Sequence, residues 1–237
     1  SFNAREYCCP RNNDEYLKLI YGDYSSIPQI IATHDRAKLL QKEYFQNGNT
    51  LSISFRKKKL HELYKTIKKN KDKIVKALKD DLGKSEFESY MCEIGMVYSE
   101  ITYMLKNIDK LASKRKVRTP LAQFKSKSYE LAVPYGNVLI MSPWNYPFLL
   151  TIGPLVDAVS AGNTVILKPS AYSPNTSKVI EEVIKEVFDE KHVCVVTGGR
   201  EENKLLLDQK YDFIFFTGSE SVGRIVLEKA SKNLTPV

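Results

Sequence analysis

Apolar positions in the first part of the chain recur with a helical period: Leu60, Leu63 and Ile67, then Ile74, Leu78 and Leu82, fall at steps of three and four residues. Two amphipathic helices are predicted, the second stopped at Gly83, which tolerates left-handed backbone. A longer helix is predicted from Ser85, because Ser85 with Glu88 three residues on matches a capping box. Phe87, Met91, Ile94, Val97, Ile101, Met104, Ile108 and Leu111 would keep one apolar stripe along it. The basic run from Lys114 to Arg118, before Thr119-Pro120, reads as the solvated end of this helix, with a phosphate-binding patch as the alternative.

Near Lys127 the pattern changes to short apolar runs alternating with amphipathic segments. "YELAV", "VLIM", "TVILK", "HVCVV" and "DFIFF" read as strands, with helices between the last four. Strand, helix, strand at this spacing predicts right-handed crossovers, hence an α/β fold: a doubly wound, Rossmann-like parallel sheet preceded by a helical segment and a strand arm. "YELAV" lies one Pro134-Tyr135-Gly136 turn before "VLIM", so it reads either as a sheet member or as an antiparallel arm. Ser173 is expected to cap one of the later helices and Pro174 to open it, and Gly162 ends another.

Composition narrows the classes. The chain has 237 residues, 43% of them hydrophobic, enough to bury a sizeable core. The net charge of +8 allows a nucleic-acid partner, but most lysines fall on predicted solvated helix faces, so none is expected. Cys8, Cys9, Cys92 and Cys194 show no CxxC spacing, and His34, His61 and His192 stand apart, so neither a metal site nor a disulfide framework is signalled. A reducing cytoplasm is the expected setting. The most apolar region, Val138 to Gly162, contains Pro143, Asn145, Pro147, Pro154 and Asp157, which argues against a membrane segment. The first residue is Ser, which reads as a start partway through a longer reading frame or after processing.

An open parallel sheet binds ligands at the carboxyl ends of its strands, so the loops after each run are where chemistry is expected. After "DFIFF" the chain passes through Thr217-Gly218-Ser219 into a helix, which directs free N–H groups at an anion; Gly218 to Gly223 is a G-x-x-x-x-G spacing that also suits a tight turn. Lys168 ends "TVILK", where it would hold ribose hydroxyls or a phosphate, or would only snorkel. Asn145, between Trp144 and Tyr146, reads either as a turn former or as an amide donor to charge developing on a carbonyl oxygen.

Three ordered segments, "VLIMSPWNYPF", "AGNTVILKPSAYSPNTS" and "FIFFTGSESVGRIV", resemble the nucleotide-binding half of NAD(P)-dependent aldehyde dehydrogenases, in the class 3-like branch. "DDLGKSEFESYMCEIG" and "KNLTPV" extend the resemblance from about Asp35 to Val237. The resemblance implies NAD or NADP as cofactor, with Met141, Pro143 and Trp144 lining the nicotinamide cleft. It implies Lys168 on the adenosine ribose, and Phe216, Gly218, Ser219 and Val222 around the pyrophosphate. It makes Asn145 the oxyanion-hole amide, with an aldehyde oxidised to a carboxylic acid through a thiohemiacetal. Ala171 departs from the Glu that many members carry after "KPS", which leaves NAD against NADP open.

In that family the nucleophilic Cys and general-base Glu follow the "LTPV" segment, so the resemblance implies a fragment without turnover of its own, from a protein that is commonly a dimer. Cys194, inside an apolar strand, and Cys92, on the long helix, read as structural. The expected division is 1–33 as an N-terminal extension and 34–237 as the nucleotide-binding domain. Arg5 to Pro28 is similar to the C-terminal tail of LicD-type phosphocholine transferases, which implies a fusion remnant joined near Ile31 to His34; a helical turn of Leu17, Ile20 and Tyr24 packed on the main domain is the alternative. A non-catalytic module pairing through "SYELAV" is the competing function.

Overall fold

The computed structural model describes residues 29–237, with side chains from residue 36 onward. The expected LicD-like tail, its helical turn, Cys8 and Cys9 lie outside the described residues, and the junction expected near Ile31 to His34 falls within the first helix, α1 (Gln29–Gln46).

The periodic segments form α2 (Ile53–Lys69) and α3 (Lys71–Leu82), with Leu60, Leu63, Ile67, Ile74 and Leu78 fully buried. Each such side chain removed from water contributes about 1.5–3 kcal/mol, which is why the apolar stripe faces inward. Gly83 stops α3 with φ of 69°.

The predicted long helix is interrupted. α4 (Glu86–Ser89) runs into a π-helical turn, Tyr90–Ile94, before α5 (Gly95–Leu111), and Gly95 N–H donates to the Tyr90 carbonyl five residues back. The wider turn rotates what precedes it, so Phe87 and Met91 face solvent while Ile94, Val97, Ile101 and Ile108 stay on the core. The single apolar stripe is therefore two stripes out of phase, and Leu111 is also exposed. Ser85 does cap as expected, its hydroxyl accepting from Glu88 N–H at 3.1 Å.

The basic run is corrected in the same way. The helix ends at Leu111, and Arg115–Val117 is a strand, β1, paired antiparallel with β2 (Ser128–Glu130). Arg115 lies opposite Glu130 and pairs with it, so opposite charges across the ribbon replace the solvated helix end. Of the two readings of "YELAV", the antiparallel arm is the one observed, and it is shorter than the apolar run.

Beyond Gly136, strand and helix alternate as predicted: β3 (Asn137–Met141), α6 (Leu149–Ala161), β4 (Thr164–Lys168), α7 (Pro174–Val187), β5 (Val193–Val195), α8 (Arg200–Leu207), β6 (Phe213–Phe216) and α9 (Glu220–Ser231). All four strands are parallel in the order β5-β4-β3-β6. β3 and β4 are buried on both faces. Val138, Ile140, Val165 and Leu167 join α2, α5, α6 and α7 in one cluster, while Leu139, Met141 and Ile166 join Leu206, Ile214 and Val226 in the other. The chain steps outward from β3 to β5 and then returns to the far side of β3, which places a topological switch between β3 and β6.

Ser173 opens α7 without capping it: Asp81 at the end of α3 accepts from Asn175 N–H and Thr176 N–H at 3.2 and 2.7 Å. Among the described residues no helix is long and apolar enough to cross a membrane.

His192 is buried against Tyr44, Phe55 and Phe188, and burial, reinforced by Lys59, lowers its pKa to about 4. The unfolded chain holds this proton below about pH 6.5 and the folded one does not, so stability is full above that pH and falls toward pH 4. The expected loss is about 3 kcal/mol, from about 1.4 kcal/mol per pKa unit. Urea titrations across this window check it, with His192→Leu expected to flatten that part of the profile.

Candidate functional site

The carboxyl ends of β3, β4 and β6 are tied together by backbone bonds that prolong the sheet by a residue on each side of Met141. Ser142 N–H donates to the Lys168 carbonyl at 3.2 Å, and Thr217 N–H donates to the Met141 carbonyl at 3.0 Å. Three loops therefore leave the sheet side by side, and with Gly199, Arg200 and Asn203 at the start of α8 they line a cleft of about 450 Å³.

The β3 loop contributes Met141, Pro143 and Trp144, the last half-exposed at the rim. Beneath it, Ser142 and Thr151 share a hydroxyl–hydroxyl bond of 2.6 Å, which holds the start of the loop against α6. The β4 loop contributes Lys168, which is only 3% exposed. Its Nζ donates to the Pro169 carbonyl at 3.0 Å and the Gly198 carbonyl at 2.7 Å, so the snorkelling alternative does not describe it. Burial pushes the Lys168 pKa down to about 8, partly opposed by Glu202. Ala171, where the departure from the family pattern falls, lies on the same wall.

The β6 turn contributes Phe216, Gly218, Ser219 and Val222. Ser219 caps α9, its hydroxyl accepting from Val222 N–H at 3.5 Å, and leaves the first turn of the helix open toward the cleft. A Cβ on Gly218 would sit 2.5 Å from the Phe216 ring, so a larger residue there would have to displace that ring from the turn. The result is a backbone cradle beside an aromatic wall, a form that suits a dinucleotide's phosphates and rings.

All eight residues expected on the cofactor thus line one cleft. Asn145 is on the β3 loop, four residues beyond Met141, which lies opposite Phe216 of β6 in register. It is exposed and is not part of the cleft wall; its carbonyl accepts from Lys84 Nζ at 2.9 Å.

Sequence reasoning missed Lys84 and Glu93. Glu93 is fully buried, pairs with Lys84 at 2.5 Å, and accepts from Phe148 N–H at 2.8 Å and Leu149 N–H at 3.1 Å. The signal was present: a carboxylate beside Ile94 within an apolar stripe is costly unless it has a partner. Cys194 is buried on β5, where burial and the nearby Glu190 push its thiol up to about 12, and Cys92 is half-buried in the π turn. Neither lines the cleft.

The family model described as "Aldehyde dehydrogenase family" matches residues 5–237. The chain belongs to the aldehyde dehydrogenase family. It is 45% identical to 4,4'-diaponeurosporen-aldehyde dehydrogenase of Staphylococcus aureus over 83% of this chain and 43% of that protein. It is 43% identical to aldehyde dehydrogenase family 3 member B1 of Bos taurus, over 83% of this chain and 42% of the relative. The substrate-bound structure of Staphylococcus aureus AldH superposes with a TM-score of 0.84 at 44% identity, over 86% of this chain and 44% of that one. A Mycobacterium tuberculosis aldehyde dehydrogenase complexed with NAD+ does so at 0.77 and 28% identity, over 87% and 43%. The chain therefore spans well under half the length of these aldehyde dehydrogenases.

Proposed function

We propose that residues 34–237 are the nucleotide-binding part of an NAD(P)-dependent aldehyde dehydrogenase that oxidises a small-molecule aldehyde to the carboxylic acid, and that 1–33 is an extension to it. The observation that carries this reading is the single cleft at the switch between β3 and β6, to which three loops bring all eight cofactor candidates. The cradle at Gly218 and the buried, partly desolvated Lys168 fit the anionic and hydroxyl-rich parts of a dinucleotide. Bound there, the nicotinamide would accept the hydride that aldehyde oxidation releases.

The chain's own residues then divide the work. Phe216, Gly218, Ser219 and Val222 hold the pyrophosphate region, Lys168 fixes the adenosine ribose, and Met141, Pro143 and Trp144 confine the nicotinamide end. Asn145 donates its amide N–H to the aldehyde oxygen as charge develops on it, which lowers the barrier only while the amide is held in place. No cysteine or glutamate lines the cleft among the described residues, so the chain by itself is expected to bind cofactor without turning over aldehyde. A cytoplasmic setting and a homodimeric full-length protein complete the proposal.

Trp144 is the only tryptophan and stands on the cleft, so its fluorescence reports binding directly. Titration with NAD is expected to quench or shift the emission and to saturate, and Lys168→Met to require more NAD for the same change. A flat titration of folded protein would favour a non-catalytic assembly module instead.

A further inference from the structure

The turn from Trp144 to Phe148 carries the proposed amide donor. α6 begins at Leu149 with no side-chain cap of its own. Local bonds hold its middle, Leu150 N–H donating to the Tyr146 carbonyl at 2.9 Å and the Thr151 hydroxyl to the Pro147 carbonyl at 2.6 Å, whereas its two ends are held by residues elsewhere in the chain. One oxygen of Glu93 accepts both Phe148 N–H and Leu149 N–H, and the other takes Lys84 Nζ. Lys84 Nζ then donates to the Asn145 carbonyl at 2.9 Å and lies 4.1 Å from the centre of the Tyr146 ring. A single ion pair, 8% and 0% exposed at its two side chains, thus grips the turn at both ends.

We propose that the Lys84–Glu93 pair is a positioning device for Asn145, fixing the backbone from which the amide is presented. The inference rests on the reading of Asn145 as the donor. Capping α6 would require Glu93 alone; the bond from Lys84 to the Asn145 carbonyl adds nothing to a helix cap and everything to the placement of residue 145. The π turn supports the same conclusion. Such turns are rare in helices and concentrate at functional sites, and this one contains Glu93 while leaving Ile94 and Val97 on the core. An amide that must meet a developing oxyanion has to be held before the charge appears, because a mobile donor spends its interaction energy on becoming ordered.

Backbone 15N relaxation on the full chain tests the device at Trp144, Asn145 and Tyr146. The wild-type order parameters are expected near the rigid value of about 0.85, and those of Lys84→Met to fall below about 0.6 at these residues only. Lys84→Arg, which keeps the cation and its donors, is expected to restore them. Since Lys84→Met leaves a buried carboxylate unpaired, the double variant Lys84→Met/Glu93→Gln carries the test if the single variant does not fold. A purely structural pair would lower the thermal midpoint and leave the turn rigid below it; unchanged order parameters in folded Lys84→Met or in the double variant overturn the proposal. A flat NAD titration of the wild type would sink the dehydrogenase reading instead, and leaves the measured rigidity of the turn as it is.

Discussion

Gly218→Val is expected to weaken NAD binding by at least about tenfold, a loss of about 1.4 kcal/mol or more. The bulk is placed where there is none to spare: even a methyl carbon at Gly218 would lie 2.5 Å from the Phe216 ring. The ring itself lines the cleft, so relief of the clash has to shift a wall residue of the site. Two contacts are disturbed by one substitution, while the buried core of β6 at Ile214 is untouched. The Trp144 titration reads the affinity, and an unchanged thermal midpoint separates the local effect from unfolding. Wild-type affinity in Gly218→Val would remove the β6 turn from the cofactor site.

Glu93→Ala is expected to destabilise the fold by about 3–5 kcal/mol, the range for breaking a buried ion pair by removing one partner. Phe148 N–H and Leu149 N–H lose their acceptor, and the Lys84 ammonium loses its counter-charge and keeps only the Asn145 carbonyl as an acceptor. Phe148 and Lys84 are both buried, so neither has ready access to water as a substitute. The contrast is Arg224–Glu220, an i,i+4 pair on α9 whose side chains are 77% and 81% exposed. Glu220→Ala is expected to change stability by no more than about 0.5 kcal/mol, because an exposed pair exchanges its partner for water at little net cost. Urea unfolding of the two variants measures the difference, and similar losses in both would show that the burial of Glu93 does not set the energetics.

How much of this was readable beforehand differs by element. β3 and β4 were legible because each is a short unbroken apolar run, the pattern of a strand covered on both faces, and Gly83 and Gly162 marked helix ends that the structure places at φ of 69° and 94°. The loops after the strands were legible as places for chemistry because a parallel sheet presents its carboxyl ends together. The π turn was not legible: Phe87, Met91 and Ile94 fit a regular stripe, and nothing local announces that one turn carries an extra residue. Lys114 to Arg118 misled for a related reason. A basic run satisfies the end of a helix and the edge of a ribbon equally well, and the choice was made by Glu130, fifteen residues beyond Arg115.

The amino-acid sequence alone determined the alternation of strands and helices, the order of the three loop motifs and the residues those loops offer, since each is encoded in periodicities and turn residues a few positions apart. The tertiary structure alone decided which of those residues meet. Asp81 caps a helix that begins ninety-three residues later, Lys84 reaches the carbonyl of Asn145, and Met141 stands opposite Phe216 across a strand pair. A hydrophobic period states that a residue is buried without naming its neighbour; partners are selected by strand register and by the requirement that every buried charge and N–H find a match, conditions that exist only once the whole chain has packed.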